Sequence, residues 1–176
     1  MKKSRKRVLS ILLAVMMVLT MMPMTAMAGE GGITINGGTV TYNSIAEAVD
    51  AATDGQTINI PAGTYDVGNN FYIDKQVDLK GAGAAETIIT GSIFLTQSKG
   101  NMTVSNLTMQ GSGVHVALNF QGSSNGQATL EDAILTVENC IFKDYEYTIG
   151  LNSYTKNCSL QINGCEFVNC GCAAAV

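Results

Sequence analysis

The sequence predicts an all-β solenoid in which about five turns of short strands stack behind one short helix, and three observations predict it. First, segments 102–111 (MTVSNLTMQG), 135–144 (LTVENCIFKD) and 160–169 (LQINGCEFVN) align on one another at offsets of 33 and 25 residues. Val104, Val137 and Ile162 share one column of the alignment, Leu107, Cys140 and Cys165 a second, and Met109, Phe142 and Phe167 a third. Self-similarity of this kind marks chains whose units each bury an apolar face on the next. Second, residues 57–60 are β-branched at three of four positions and end on Pro61, which cannot continue a ladder inside a sheet. Third, Ser44 and Glu47 are spaced as a capping box, and Ile45, Ala48, Val49 and Ala52 fall on one helical face. A helix this small cannot bury its face alone.

Taken in order, residues 1–28 read as a secretory signal. Lys2, Lys3, Arg5, Lys6 and Arg7 form a basic front, residues 8–22 are an almost uninterrupted apolar run, and Ala26-Met27-Ala28 is a small-residue site with the cut between Ala28 and Gly29. The apolar run of 15 residues is shorter than the roughly 20 that a spanning helix needs, so cleavage is favoured over an uncleaved anchor. Residues 29–176 then form one domain of 148 residues. This part keeps all 14 acidic residues but only five lysines and no arginine, a formal charge of −9. Such a surface repels phosphate backbones, which excludes nucleic acid as an expected partner, and no membrane contact is expected once the signal is gone.

The helix is predicted to stop near Asp54-Gly55, where glycine suits a left-handed C-terminal cap. Leu79 lies 25 residues before Val104, so residues 77–79 are an earlier turn with Lys80-Gly81-Ala82-Gly83 at its corner. Val116 and Leu118 lie 33 before Ile149 and Leu151, which gives a second strand per turn. The extra residues of the longer turn fall in 121–132, where a Gly-Ser-Ser-Asn-Gly run signals a loop. Within one turn Leu135 and Val137 point inward, Glu138-Asn139 makes a corner, and Cys140 and Phe142 point inward again. Asn or Gly at the corner suits left-handed backbone, and stacked Asn side chains can bond between turns. Five cysteines leave at least one thiol unpaired. Cys140 over Cys165 is expected as an inward stack of small apolar groups rather than as a bond between turns. Residues 170–176 provide no polar end cap, and the expectation is that more protein follows them in the natural product.

The run Ile58, Ile60, Pro61, Ala62, Gly63, Thr64 and Tyr65, placed just behind a short helix, resembles the opening of the right-handed parallel β-helix proteins of the pectin lyase-like superfamily. The resemblance implies that residues 29–176 are a right-handed parallel β-helix with an N-terminal capping helix, from a secreted bacterial surface protein. It does not imply one activity, because that superfamily holds lyases, esterases, glycosidases and catalytically silent surface proteins.

In the resembling lyases, arginine or lysine and calcium-binding aspartates do the chemistry; this chain has no arginine after residue 28. The resembling hydrolases carry clustered aspartates on outward positions of one strand column, and hydrolysis needs two facing carboxylates. Here the comparable outward positions, by strand parity, are Phe94, His115, Ala117, Thr148 and Gly150, none of them acidic. No catalytic residue, cofactor or metal site is therefore assigned. Asp66, Asp74 and Asp78 are read as edge and corner charges in preference to a calcium site, and Glu131-Asp132 likewise. Cys170-x-Cys172 lacks the second pair a zinc site needs. The candidates for a ligand face are His115, the sole histidine, with Tyr145 and Tyr147, which lie near Tyr154. The expected function is a secreted or cell-surface scaffold or adhesion-type module without catalytic machinery. Its alternatives are the N-terminal part of a polysaccharide lyase or glycoside hydrolase, and a carbohydrate-binding module. The expected partners are an extracellular polysaccharide or further domains of a longer protein.

Overall fold

A computed structural model describes residues 31–96, 100–111, 116–121, 130–151 and 155–175. The signal-like segment with Ala28 and Gly29, together with His115 and Tyr154, lies outside the described residues. The described chain is all-β, with parallel sheets and one short helix.

It opens with an antiparallel pair, β1 (Ile33–Ile35) and β2 (Thr41–Tyr42), followed by α1 (Ile45–Ala51). Ser44 Oγ accepts the Glu47 N–H at 3.1 Å, and Glu47 Oε2 accepts the N–H of Asn43 at 3.0 Å, one residue earlier than the usual capping box reaches. Ile45, Ala48, Val49 and Ala52 are all buried, as the helical spacing predicts. The helix ends sooner than expected, at Ala51, and the chain leaves through an extended Ala52. Gly55 does have a left-handed backbone (φ +83°), but it serves the turn into the next strand, its N–H donating to Gln76 O at 2.7 Å. The C-terminal capping falls instead to Lys75, whose Nζ donates to the carbonyls of Val49 (2.9 Å) and Asp50 (2.6 Å). A cation there gives the last helical carbonyls a charged donor and opposes the negative end of the helix dipole. Lys75→Met keeps the apolar stem and loses these bonds. It is expected to cost about 1 kcal/mol, read as a melting temperature lower by about 3 °C.

The remaining elements are β3 (Gln56–Ile60), β4 (Gly63–Ile73), β5 (Val77–Gly81), β6 (Thr87–Leu95), β7 (Met102–Ser105), β8 (Thr108–Gln110), β9 (Val116–Phe120), β10 (Leu130–Glu131), β11 (Ile134–Glu138), β12 (Ile141–Lys143), β13 (Tyr147–Leu151), β14 (Thr155–Lys156), β15 (Ser159–Asn163), β16 (Glu166–Val168) and β17 (Cys172–Ala175). One sheet has seven strands in the order β15-β11-β7-β5-β3-β1-β2, parallel from β3 to β15. A second has eight, ordered β16-β12-β8-β6-β9-β13-β17 with β4 beside β6; β10 and β14 form a third, two-stranded parallel ladder. The long β6 joins two ladders, residues 88–90 pairing with β8 and residues 93–95 with β9, while β4 runs along both halves.

The internal repeat becomes strand pairing. Leu79 pairs with Val104, Val104 with Val137 and Val137 with Ile162, and the first three are fully buried. Met109, Phe142 and Phe167 form a parallel line in the second sheet, with the two phenylalanine rings stacked at 5.4 Å and 10°. Between strands the backbone turns at left-handed residues. Asn106 (φ +56°), Asn139 (φ +52°) and Gly164 (φ +61°) occupy the corner the sequence indicates. Asp132, Asn157, Asp144 and Asn169 make equivalent corners elsewhere, each with φ between +53° and +59°. Side chains bridge two of these corner lines: Asn157 Nδ2 donates to Asp132 Oδ1 (3.2 Å) and Asn169 Nδ2 to Asp144 Oδ1 (2.7 Å). The Asn169 bond, aided by Gln110, holds the Asp144 carboxyl below its usual range. All five cysteines are outside disulfides, Cys140 buried and Cys165 partly buried in one inward line.

Candidate functional site

The side chains available for contact are set by which way each ladder faces. In the second sheet Tyr72 pairs with Phe94, Phe94 with Asn119, and Asn119 with Gly150, so these four residues share one line across β4, β6, β9 and β13. Tyr72 is 52 % exposed, and its ring lies 5.2 Å from that of Phe94 at a 34° tilt. Gly150 leaves the line open on β13, since a Cβ there would find no atom closer than Asn119 Oδ1 at 3.7 Å, and beyond it the line passes to Ala175 of β17. Tyr147, at the start of β13, is 47 % exposed. The result is a ledge of aromatic faces with an amide beside it. Such a surface suits a ligand that is apolar on one side and hydroxylated at its edge.

Four sequence assignments need correction. Val116 and Leu118 do give a second strand, but they pair with Tyr147 and Ile149, 31 residues on instead of 33. Tyr145 does not face outward: it is 2 % exposed, its hydroxyl donates to Gly91 O at 2.6 Å, and burial raises its pKa. It directly follows the left-handed Asp144, and the chain reversal there turns the next side chain inward. Ala117 and Thr148, assigned outward by parity, are fully buried. Parity assumes an unbent strand, whereas β6 turns at Gly91 (φ +110°), between the half that pairs with β8 and the half that pairs with β9. Two successive residues therefore face inside at that bend. Ser92, Ala117 and Thr148 make a buried line of small side chains, in which the Ser92 hydroxyl donates to Val116 O and that of Thr148 to Cys172 O.

Three of the carboxylates singled out above, those of Asp66, Asp78 and Glu131, have partners of their own. Asp66 Oδ1 accepts from the Gly68 N–H (3.0 Å) and the Thr90 hydroxyl (3.3 Å), Asp78 Oδ1 accepts from the Thr103 N–H (2.7 Å), and Glu131 pairs with Lys156 at 3.4 Å. Among the described residues no group of three or more His, Cys, Asp or Glu converges on a metal-sized site. A cavity of about 310 Å³ opens between the start of α1 and β4, lined by Ser44, Ile45, Thr64, Tyr65, Asp66 and Phe71. In its wall Tyr65, whose pKa burial raises, donates its hydroxyl proton to Pro61 O at 3.1 Å, tying the start of β4 to the end of β3.

Sequence reasoning missed Tyr72. A signal was present, because Phe71-Tyr72-Ile73 and Ile93-Phe94-Leu95 both set an aromatic ring between two apolar residues, 22 positions apart. No family model, no curated protein and no solved structure matches the chain.

Proposed function

We propose that the chain is a secreted or cell-surface scaffold of adhesion type, built as a right-handed parallel β-helix of about five turns behind its capping helix. The observation that carries this reading is the unbroken register of Leu79, Val104, Val137 and Ile162, in which like side chains lie over like. A coil of that kind is stiff and presents outward residues in straight lines, so contact rather than bond-breaking is what its wall does best. The pectin lyase-like run at residues 58–65 and the signal-like residues 1–28 support the same reading. The exposed Tyr72–Phe94 pair favours an extracellular polysaccharide as what is contacted.

The test is retention of the full chain on insoluble polysaccharides, with released sugar measured in the same tubes. Binding that Tyr72→Ala weakens about tenfold, with no product formed, is expected. Measurable cleavage of pectin or alginate would overturn the scaffold reading, and recovery of the protein from the cytosol of its host would overturn the location.

A further inference from the structure

Four of the five cysteines stand directly after a left-handed corner residue: Cys140 after Asn139, Cys158 after Asn157, Cys165 after Gly164 and Cys170 after Asn169. Their thiols are placed alike. Each donates to the carbonyl two residues back and to one on the preceding strand of its ladder: for Cys140, Glu138 O (3.3 Å) and Val104 O (3.6 Å); for Cys165, Asn163 O (3.5 Å) and Val137 O (3.4 Å). Cys158 and Cys170 repeat the pattern on Leu130 O and Phe142 O. Because the placement is common to all four, the register alone decides what each sulfur faces. Ala133 is the counterpart of Cys158, Tyr145 that of Cys170, and Tyr147 pairs with Cys172. Cys165 alone has another cysteine, Cys140, in line with it.

Pairing on both sides of this corner fixes the two residues. Glu138 pairs with Asn163 before it and Ile141 with Glu166 after it, while the Asn139 N–H donates to Asn163 O and the Glu166 N–H to Cys140 O, both at 2.9 Å. Adjacent strands lie roughly 4.7–4.9 Å apart. That spacing is inside the Cα separation of about 4.4–6.8 Å that a disulfide spans. The two thiols are also unlike in access, Cys140 fully buried and Cys165 partly open. The neighbouring thiols act on each other, bringing the Cys165 pKa down to about 6 and pushing that of Cys140 up.

We propose that Cys165 and Cys140 form a thiol–disulfide exchange site whose co-reactant is a small-molecule disulfide, with Cys165 as the attacking and Cys140 as the resolving sulfur. The Cys165 thiolate attacks one sulfur of the disulfide RSSR, forming a mixed disulfide and expelling RS⁻. Cys140 then gives its proton to the expelled thiolate and its sulfur attacks Cys165 Sγ, releasing the second RS⁻, which takes a proton from water. The chain loses two electrons and RSSR becomes two RSH. The product ties the β11–β12 corner to the β15–β16 corner and pins the last strands of both large sheets.

The test is exposure of the reduced full chain to oxidised glutathione, followed by alkylation and peptide mapping, with circular dichroism recorded to show that the fold is kept. Alkylatable thiols are expected to fall from five to three, with one cross-link between the peptides holding Cys140 and Cys165. Cys140→Ser should stop at a lasting glutathione adduct on Cys165, and Cys165→Ser should leave Cys140 unmodified. Five alkylatable thiols in the folded protein, or adducts or cross-links that form first at Cys158, Cys170 or Cys172, overturn the proposal. Mapping of the unsubstituted chain decides between these outcomes even where a serine variant folds poorly.

Discussion

Gly91→Ala is expected to destabilise the protein by about 3–5 kcal/mol, a fall in melting temperature of roughly 10 °C or more. A Cβ at this position would sit 2.1 Å from the carbonyl oxygen of Gly68 and 2.9 Å from its carbon. Those atoms belong to the backbone of the neighbouring strand, paired to Gly91 itself, and cannot swing aside as a side chain would. The left-handed φ of +110° adds strain that any residue with a Cβ must bear. Gly91 also carries the carbonyl that accepts the buried Tyr145 hydroxyl, so a shift there uncouples a second bond across the core. Gly150→Ala is the control. Its Cβ has open space, and a change within about 0.5 kcal/mol is expected. Similar melting curves for both variants would mean that the bend in β6 is not the fixed point described above.

Phe142→Ala is the second large effect, with an expected loss of about 3–5 kcal/mol. The ring is fully buried, stacks on Phe167 and lies in line with Met109, so truncation removes apolar area and opens a void between three consecutive strands. In urea the midpoint should fall with the slope unchanged, because the unfolded chain exposes nearly the same surface. Phe142→Leu, which refills most of the space, should recover more than half of the loss. A midpoint unmoved by Phe142→Ala would show that the line of Met109, Phe142 and Phe167 is not packed as described.

The interior lines were legible in the sequence because two features coincide at fixed spacing: β-branched or aromatic residues at alternate positions, and an Asn or Gly where the chain must take positive φ. Val104, Val137 and Ile162 satisfy both, and the structure pairs them. The outer surface was less legible. Strict alternation fails where the backbone bends, and it misplaced Ala117 and Thr148; Tyr145, chosen for its nearness to Tyr147 in sequence, follows a corner and turns inward. A better rule is visible in retrospect: the residue directly after a left-handed corner points inward. Leu107, Ala133, Cys140 and Tyr145 obey it and are buried, each preceded by Asn or Asp. The extent of α1 was misjudged because Lys75, a residue distant in sequence, supplies the cap that a glycine was expected to give.

Partners on the last two passages of the chain are separated by one constant interval: Leu130 and Thr155, Leu135 and Leu160, Ile141 and Glu166, and Tyr147 and Cys172 are each 25 residues apart. A block of that size can be copied or excised with every one of these ladders still in phase. Each block added in this way sets one more strand against each ladder it joins, about 4.8 Å across the sheet. Such a chain can grow or shrink over evolutionary time as a measuring rod does, in whole graduations.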